Sequence, residues 1–410
     1  MDIQKAEWSI RKHLERLSAF TATPGAGVTR LPFTPPARAA AEYLLEAMRA
    51  AGLDASLDPS GGVSGVLRGV SEKRLILGSH YDSVPNGGAF DGAAGIACAL
   101  AIAEQLAEEG TVPPLMLEVL ATNDEEGARF LSGYFTSKAL TGELAPGDLL
   151  RRDASGVSLD QAMKDFGLEP DGALHCARPQ GSAAAYVEIH IEQGPVLEAM
   201  GREVGIVEGI VGIERYRVTL AGRADHAGTA PMDGRQDALR RALSVVNAAY
   251  EAAESRPGTV ATVGMLEVFP GAVNVVPERV SLSLDVRSAD PTSIAVVTGR
   301  AREAAQHACG ADGASFVRTL SVAPTPMDAA LTARLEAHCA RLGASTHRMF
   351  SGAGHDALMM ARRMPAAMLF VPSKGGRSHC PEEWSDCAHL ALAAAAVYDL
   401  VREFGKEEVL

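Results

Sequence analysis

Arg74-Leu75-Ile76-Leu77-Gly78-Ser79-His80, followed by Asp91-Gly92-Ala93-Ala94-Gly95-Ile96-Ala97-Cys98-Ala99-Leu100-Ala101-Ile102-Ala103-Glu104-Gln105-Leu106, is the stretch that decides the fold class. The first segment is a short apolar run without polar alternation, as expected of a strand buried on both faces, although periodicity alone leaves a buried helix open. The second is long and apolar almost throughout, which suits a helix packed on such a sheet, with Asp91 placed as its N-cap. Strand followed by helix is the repeating unit of an α/β fold.

Three more runs farther along the chain have the same form. Leu115-Met116-Leu117-Glu118-Val119-Leu120-Ala121-Thr122 leads into Asn123-Asp124-Glu125-Glu126-Gly127, and Ala184-Ala185-Tyr186-Val187-Glu188-Ile189 delivers His190. Ala366-Ala367-Met368-Leu369-Phe370-Val371 opens into the polar loop Pro372-Ser373-Lys374-Gly375-Gly376-Arg377-Ser378 that carries His379. In open α/β sheets ligands bind beyond the carboxyl ends of the strands, so His80, Asp91, Glu125, Glu126, His190 and His379 can converge although they are scattered along the chain. Helices are expected over residues 2–20 and 37–51, with a loop-and-helix insertion over 142–179.

After about Gly205 the pattern changes. Tyr216, Val218 and Leu220 alternate with Arg215, Arg217 and Thr219, and Val280, Leu282, Leu284 and Val286 alternate with Ser281, Ser283, Asp285 and Arg287. Strict period two predicts a sheet with one face packed and the other polar, and helices are expected over 236–253 and 292–309. The fold class is therefore α/β: a mixed, largely parallel sheet flanked by helices over residues 1–211 and 324–410, with an inserted α+β domain, an antiparallel sheet with helices on one face, over 212–323. A helix over 329–342 resumes the first pattern.

A chain of 410 residues with 47% apolar residues suits two globular domains. A net charge of −13 argues against nucleic-acid and anionic-membrane surfaces, which need clustered Lys and Arg. It leaves room for a small anionic substrate, because one buried arginine can bind a carboxylate whatever the total charge. The six cysteines show no Cys-x-x-Cys pair, so reduced thiols are expected. The start, Met1-Asp2-Ile3-Gln4-Lys5-Ala6-Glu7-Trp8, has no basic segment followed by an apolar one, and no run is long and apolar enough to cross a bilayer; the expected location is cytoplasmic.

Imidazole nitrogens and carboxylates, with no thiol among them, suit a catalytic divalent ion rather than a structural zinc knot. Asp82 can accept a hydrogen bond from His80 and fix its tautomer. The adjacent pair Glu125 and Glu126 suggests two ions about 3.5–4 Å apart with a bridging ligand. One glutamate can bind metal while the other takes a proton from the attacking water and returns it to the leaving nitrogen. Arg287, on the polar face of its strand, can hold a carboxylate through two parallel hydrogen bonds, or else pair with Asp285 or Glu278. Gly354 and His355 sit in a loop whose amides can face an anion. Cys380 adjoins His379, but neighbours in an extended chain point to opposite sides, which argues against a Cys-His nucleophile.

Four segments carry a resemblance: His80-Tyr81-Asp82-Ser83-Val84-Pro85-Asn86-Gly87-Gly88-Ala89-Phe90-Asp91-Gly92, Asp124-Glu125-Glu126-Gly127-Ala128-Arg129-Phe130, His190-Ile191-Glu192-Gln193-Gly194-Pro195, and Ser351-Gly352-Ala353-Gly354-His355-Asp356-Ala357. In order and over nearly the whole chain they resemble the N-carbamoyl-L-amino-acid hydrolase and allantoate amidohydrolase group of the dinuclear zinc aminoacylase and carboxypeptidase superfamily. The resemblance implies two divalent ions per chain, Zn or else Mn, Co or Ni. It implies Asp91 as bridging ligand, His80 and His190 on one ion, Glu126 and His379 on the other, and Glu125 as general base. It further implies Arg287 and Asn274 on the substrate carboxylate, Gln193 on the carbamoyl group, and His226 on the oxyanion, supplied across a homodimer by the lid and dimerisation domain at 212–323. His190 in His-Ile-Glu-Gln-Gly favours this group, because the peptidase branches usually place an acid there.

The function these expectations describe is hydrolysis of the ureido C–N bond of N-carbamoyl-L-amino acids to the amino acid, ammonia and carbon dioxide. Allantoate or another ureido acid is the close alternative, and a dipeptidase or aminoacylase a more distant one. A metal-binding regulatory protein that kept the fold is the non-enzyme alternative; it predicts a lost base or ligand, and none is missing.

Overall fold

The computed structural model describes residues 1–310 and 313–404. Their contacts divide into two compact units, Met1–Glu208 with Pro326–Leu410, and Gly209–Thr325.

In the first unit four parallel strands lie side by side in the order Leu115–Thr122, Ser71–His80, Ala183–Ile191, Ala366–Val371. These are the apolar runs of the sequence, and Ala366–Val371 is buried at every position. Antiparallel strands extend both sides: Val63–Leu67 and Asp54–Leu57 beyond Leu115–Thr122, and Val204–Ile210 beyond Ala366–Val371. Buried side chains of helices Ile3–Ser18, Pro35–Ala50, Ala93–Glu108 and Cys387–Glu403 form one apolar core with the sheet. The alanine-rich helices suit this packing, because small side chains let a helix approach the strands closely.

Two acids interrupt the apolar runs. Glu118, fully buried, accepts from Ser64 Oγ at 2.6 Å, Arg74 Nη1 at 3.0 Å and Arg178 Nη1 at 2.6 Å, with a second bond to Arg178 Nη2. The paired guanidinium holds its carboxyl below the usual range despite burial. Arg178 lies at the end of the 142–179 insertion, so this pair ties the insertion to the sheet. Glu188, also fully buried, belongs to the functional site described below.

In the second unit the antiparallel order is Ala314–Val322, Gly212–Ala221, Arg279–Ser288, Thr259–Thr262, with Leu266–Phe269 also on Arg279–Ser288. The alternation appears as burial: Val280, Leu282, Leu284 and Val286 are inside with Tyr216, Val218 and Leu220. Helices Ala238–Glu254 and Pro291–Cys309 close that face, each capped by an aspartate, Asp237 and Asp290.

One local expectation fails. The helix after Asp91 begins at Ala93, and its N-cap is Gly92, with φ 63° and no side-chain cap. A Cβ at Gly92 would lie 2.4 Å from the His80 carbonyl oxygen and 2.5 Å from its Nδ1. Glycine therefore allows the helix to start against His80, and the Asp91 carboxylate is left for other partners.

Candidate metal centre

The four parallel strands end together, and the side chains beyond their ends meet at Asp91. His80 Nε2 and His190 Nε2 stand 3.4 and 3.2 Å from Asp91 Oδ1, and His379 Nε2 is 3.1 Å from Asp91 Oδ2 and 3.3 Å from Glu126 Oε1. Potential donor atoms group as His80, Asp91 and His190; as Asp91, Glu126 and His379; and as His80, Glu125 and Glu126. Asp91 is common to the first two sets, and every residue named here lies in the first unit.

Tautomers follow from the outer contacts. His80 Nδ1 is 3.1 Å from the Asp82 carbonyl oxygen and His190 Nδ1 is 2.9 Å from that of Ile191, so both Nδ1 atoms donate. The Gly92 N–H donates to His190 Nε2 at 3.2 Å, which identifies that nitrogen as the lone-pair side. The Asp82 carboxylate plays a different part from the one expected of it. At 3.7 Å from His80 Nδ1 it lies beyond hydrogen-bond reach, and it accepts instead the N–H groups of Glu125 at 3.1 Å and Glu126 at 3.3 Å.

Lone pairs of imidazole facing carboxylate oxygens repel unless a cation or a proton lies between them. Spacings of 3.1–3.4 Å match neighbouring donors about 3.4 Å apart around a tetrahedral ion with ~2.1 Å bonds. Asp91 Oδ1, Glu125 Oε1 and Glu126 Oε1 are buried without a hydrogen-bond partner. The donor set fits divalent metal.

Without metal, protons take the cation's place. Hydrogen bonds donated to Asp91 and then to Glu126 push His379 up to about 10, and His80 rises well above its usual value because Asp91, Glu125 and Asp82 outweigh burial. Burial opposes ionisation of Asp91, yet the three imidazoles hold its carboxyl well below the ordinary range. His379 is charged at neutral pH and must be neutral to bind metal. Zinc uptake by the stripped protein at neutral pH is therefore expected to release protons, with affinity rising with pH. Calorimetry in buffers of different ionisation enthalpy measures this; a buffer-independent heat would contradict it.

Glu125 is 7% exposed, and burial pushes its carboxyl well above the usual range against the pull of His80. Gln193 Nε2 donates to Asp91 Oδ2 at 3.0 Å, and Gln193 Oε1 has no partner. Gln193 and His379 have φ of 57° and 56°, a left-handed conformation costly for residues with a Cβ and frequent at functional sites. His355 is buried, its ring 4.5 Å from that of His190 and its Nε2 2.9 Å from Ser351 Oγ. Gly354 abuts the Tyr134 hydroxyl, leaving no room for a side chain.

Behind the imidazoles lies a buried acid pair absent from the sequence-based site. Glu188 accepts from Ser79 Oγ at 3.1 Å, Tyr186 Oη at 3.3 Å and the Ala357 N–H at 3.0 Å, while Asp356 accepts from Thr122 and Ser137. Burial, then the neighbouring Asp356, raises Glu188 to about 7. An acid inside an apolar strand two residues before His190 was the available signal.

In the second unit His226 and Asn274 are brought together: His226 bridges Val275, and the Ala227 N–H donates to the Asn274 carbonyl at 2.9 Å. Arg287 Nε donates to Asp285 Oδ1 at 2.9 Å, so the ion pair weighed for this arginine forms.

Residues 76–403 match peptidase family M20/M25/M40. The chain is 43% identical over 415 residues to N-carbamoyl-L-amino-acid amidohydrolase of Paenarthrobacter aurescens, covering 98% of this chain and 99% of that protein. It is 36% identical over 407 residues to allantoate amidohydrolase of Bacillus subtilis (strain 168), covering 96% of each. Among solved structures, an amidase of the hydantoinase/carbamoylase family from Burkholderia multivorans aligns with a TM-score of 0.89 at 29% identity, covering 97% of both chains. The chain therefore belongs to peptidase family M20/M25/M40, in its group of N-carbamoyl-L-amino-acid and allantoate amidohydrolases.

Proposed function

We propose that the protein hydrolyses the ureido C–N bond of N-carbamoyl-L-amino acids, releasing the amino acid, ammonia and carbon dioxide. The observation that carries this reading is the complete donor set around Asp91 with the partnerless Glu125 oxygen beside it. Two divalent ions, Zn or else Mn, Co or Ni, would be held by His80, Asp91 and His190 and by Asp91, Glu126 and His379, and would supply Lewis acidity to the carbonyl and to water when bound. Glu125 takes a proton from the attacking water and gives it to the leaving nitrogen. Asp82 keeps Glu125 and Glu126 in place through their backbone N–H groups. Gln193 contacts the carbamoyl group, Arg287 and Asn274 take the α-carboxylate, and His226 donates to the oxyanion. Gly354 and His355 assist in binding. In this proposal residues 212–323 form a lid through which two chains dimerise. Among the described residues no helix is long and apolar enough to cross a membrane, and all six cysteines are unpaired, in keeping with a cytoplasmic location.

Allantoate is the second reading, favoured by the 36% identity to the Bacillus enzyme. It also presents a carboxylate and a ureido group. Ammonia release from a panel of N-carbamoyl amino acids, allantoate and dipeptides decides between them. Preferred turnover of an N-carbamoyl-L-amino acid is expected; preferred turnover of allantoate or of dipeptides would reject the proposal.

A further inference from the structure

Glu383 lies four residues beyond His379 and is 4% exposed. Each of its carboxylate oxygens serves a different loop. Oε1 accepts the N–H of Phe90 at 3.0 Å and of Asp91 at 2.9 Å; Oε2 accepts Ser378 Oγ at 2.6 Å and the His379 N–H at 3.3 Å. Residues from opposite ends of the first unit's chain are thus tied to one side chain. The space it fills exists because residue 88 is glycine: a Cβ there would lie 2.1 Å from Glu383 Oε1 and 2.3 Å from Glu383 Cβ.

Two features make this more than a structural contact. Hydrogen bonds to a carboxylate are charge-assisted and fix backbone position more firmly than neutral ones. His379 also needs such support, since its φ of 56° persists only where its surroundings hold it. By contrast His80 and His190 lie within strands Ser71–His80 and Ala183–Ile191, where the sheet itself places them.

We propose that Glu383 is a positioning residue of the metal centre, clamping the backbones of Asp91 and His379 so that Asp91 Oδ2 and His379 Nε2 stand 3.1 Å apart. The inference rests on the reading of Asp91, Glu126 and His379 as one ion's ligands. The clamp acts more strongly on that ion, because both Asp91 and His379 are loop ligands tied to Glu383, whereas the ion held by His80, Asp91 and His190 shares only Asp91 with the clamp and takes its two imidazoles from strands.

Glu383→Gln preserves shape but offers one acceptor oxygen where two are used. The test titrates metal-stripped wild type and variant with Zn²⁺ and Co²⁺, following stoichiometry, affinity and the Co²⁺ absorption spectrum, together with thermal unfolding of the stripped proteins. Expected are two ions in wild type; in the variant the ion on Asp91, Glu126 and His379 binds about 10–100-fold more weakly with an altered Co²⁺ spectrum, and the ion on His80, Asp91 and His190 loses markedly less. Unfolding of the stripped variant should be unchanged. Wild-type affinity and spectrum at both sites would overturn the proposal, as would equal weakening of both ions with a lowered unfolding temperature. A wild type that takes up only one ion would instead overturn the two-ion reading. Should Glu383→Gln not fold, Ser378→Ala removes the 2.6 Å bond to Glu383, together with longer contacts of the same hydroxyl to Asp91 Oδ2 at 3.4 Å and Gln193 Nε2 at 3.5 Å, and should weaken the same ion more than the other; its failure to do so would also count against the clamp.

Discussion

Glu125→Gln is expected to keep its metal and lower kcat by about 10²–10⁴-fold, with KM little changed. The amide has the carboxylate's shape but cannot accept the proton of the attacking water. Its backbone stays anchored, because the Asp82 carboxylate receives the N–H groups of residues 125 and 126 whatever the side chain. Burial of Glu125, 7% exposed, raises the proton affinity of its carboxyl, which is the direction a general base requires. Steady-state kinetics with metal content measured on the same sample decides the matter. Turnover near wild type would remove Glu125 as the base.

Arg287→Met is expected to reduce kcat/KM by about 10²–10³-fold, the scale of losing one partner of a desolvated charge pair, with most of the loss in KM. Methionine keeps much of the apolar stem while removing the guanidinium. Asp285 makes the competing case, because Arg287 pairs with it at 2.9 Å and Arg215 Nη2 pairs with the same carboxylate at 2.7 Å. A purely structural Arg287 would leave KM unaltered and lower the unfolding temperature instead. A substrate analogue with an amide in place of the carboxylate sharpens the measurement: it should bind wild type and variant equally poorly.

The architecture was legible because apolar periodicity reports burial directly. Residues 75–80, 117–122, 185–191 and Ala366–Val371 are strand segments buried on both faces, and Arg279–Ser288 alternates because only one face is covered. Short strands at the margins, such as Asp54–Leu57 and Thr346–Ser351, carried no such signal, since partly exposed strands of this length read like loops. Asp91 was misjudged as a cap because cap preference is a local rule, and here the approach of Gly92 to His80 overrides it.

Residue chemistry and order along the chain determined the kind of site: three imidazoles and two carboxylates at strand ends, with a second glutamate beside one of them, specify hard or borderline divalent metal and a nearby base. Which oxygen faces which nitrogen was decided only in three dimensions. Asp82 holds backbone rather than imidazole, Glu188 and Asp356 lie buried behind the histidines, and Glu383 joins Asp91 to His379 across the sequence. Donor type is a property of a residue, whereas hydrogen-bond partnership depends on backbone groups brought together by strand order, and no local pattern encodes those.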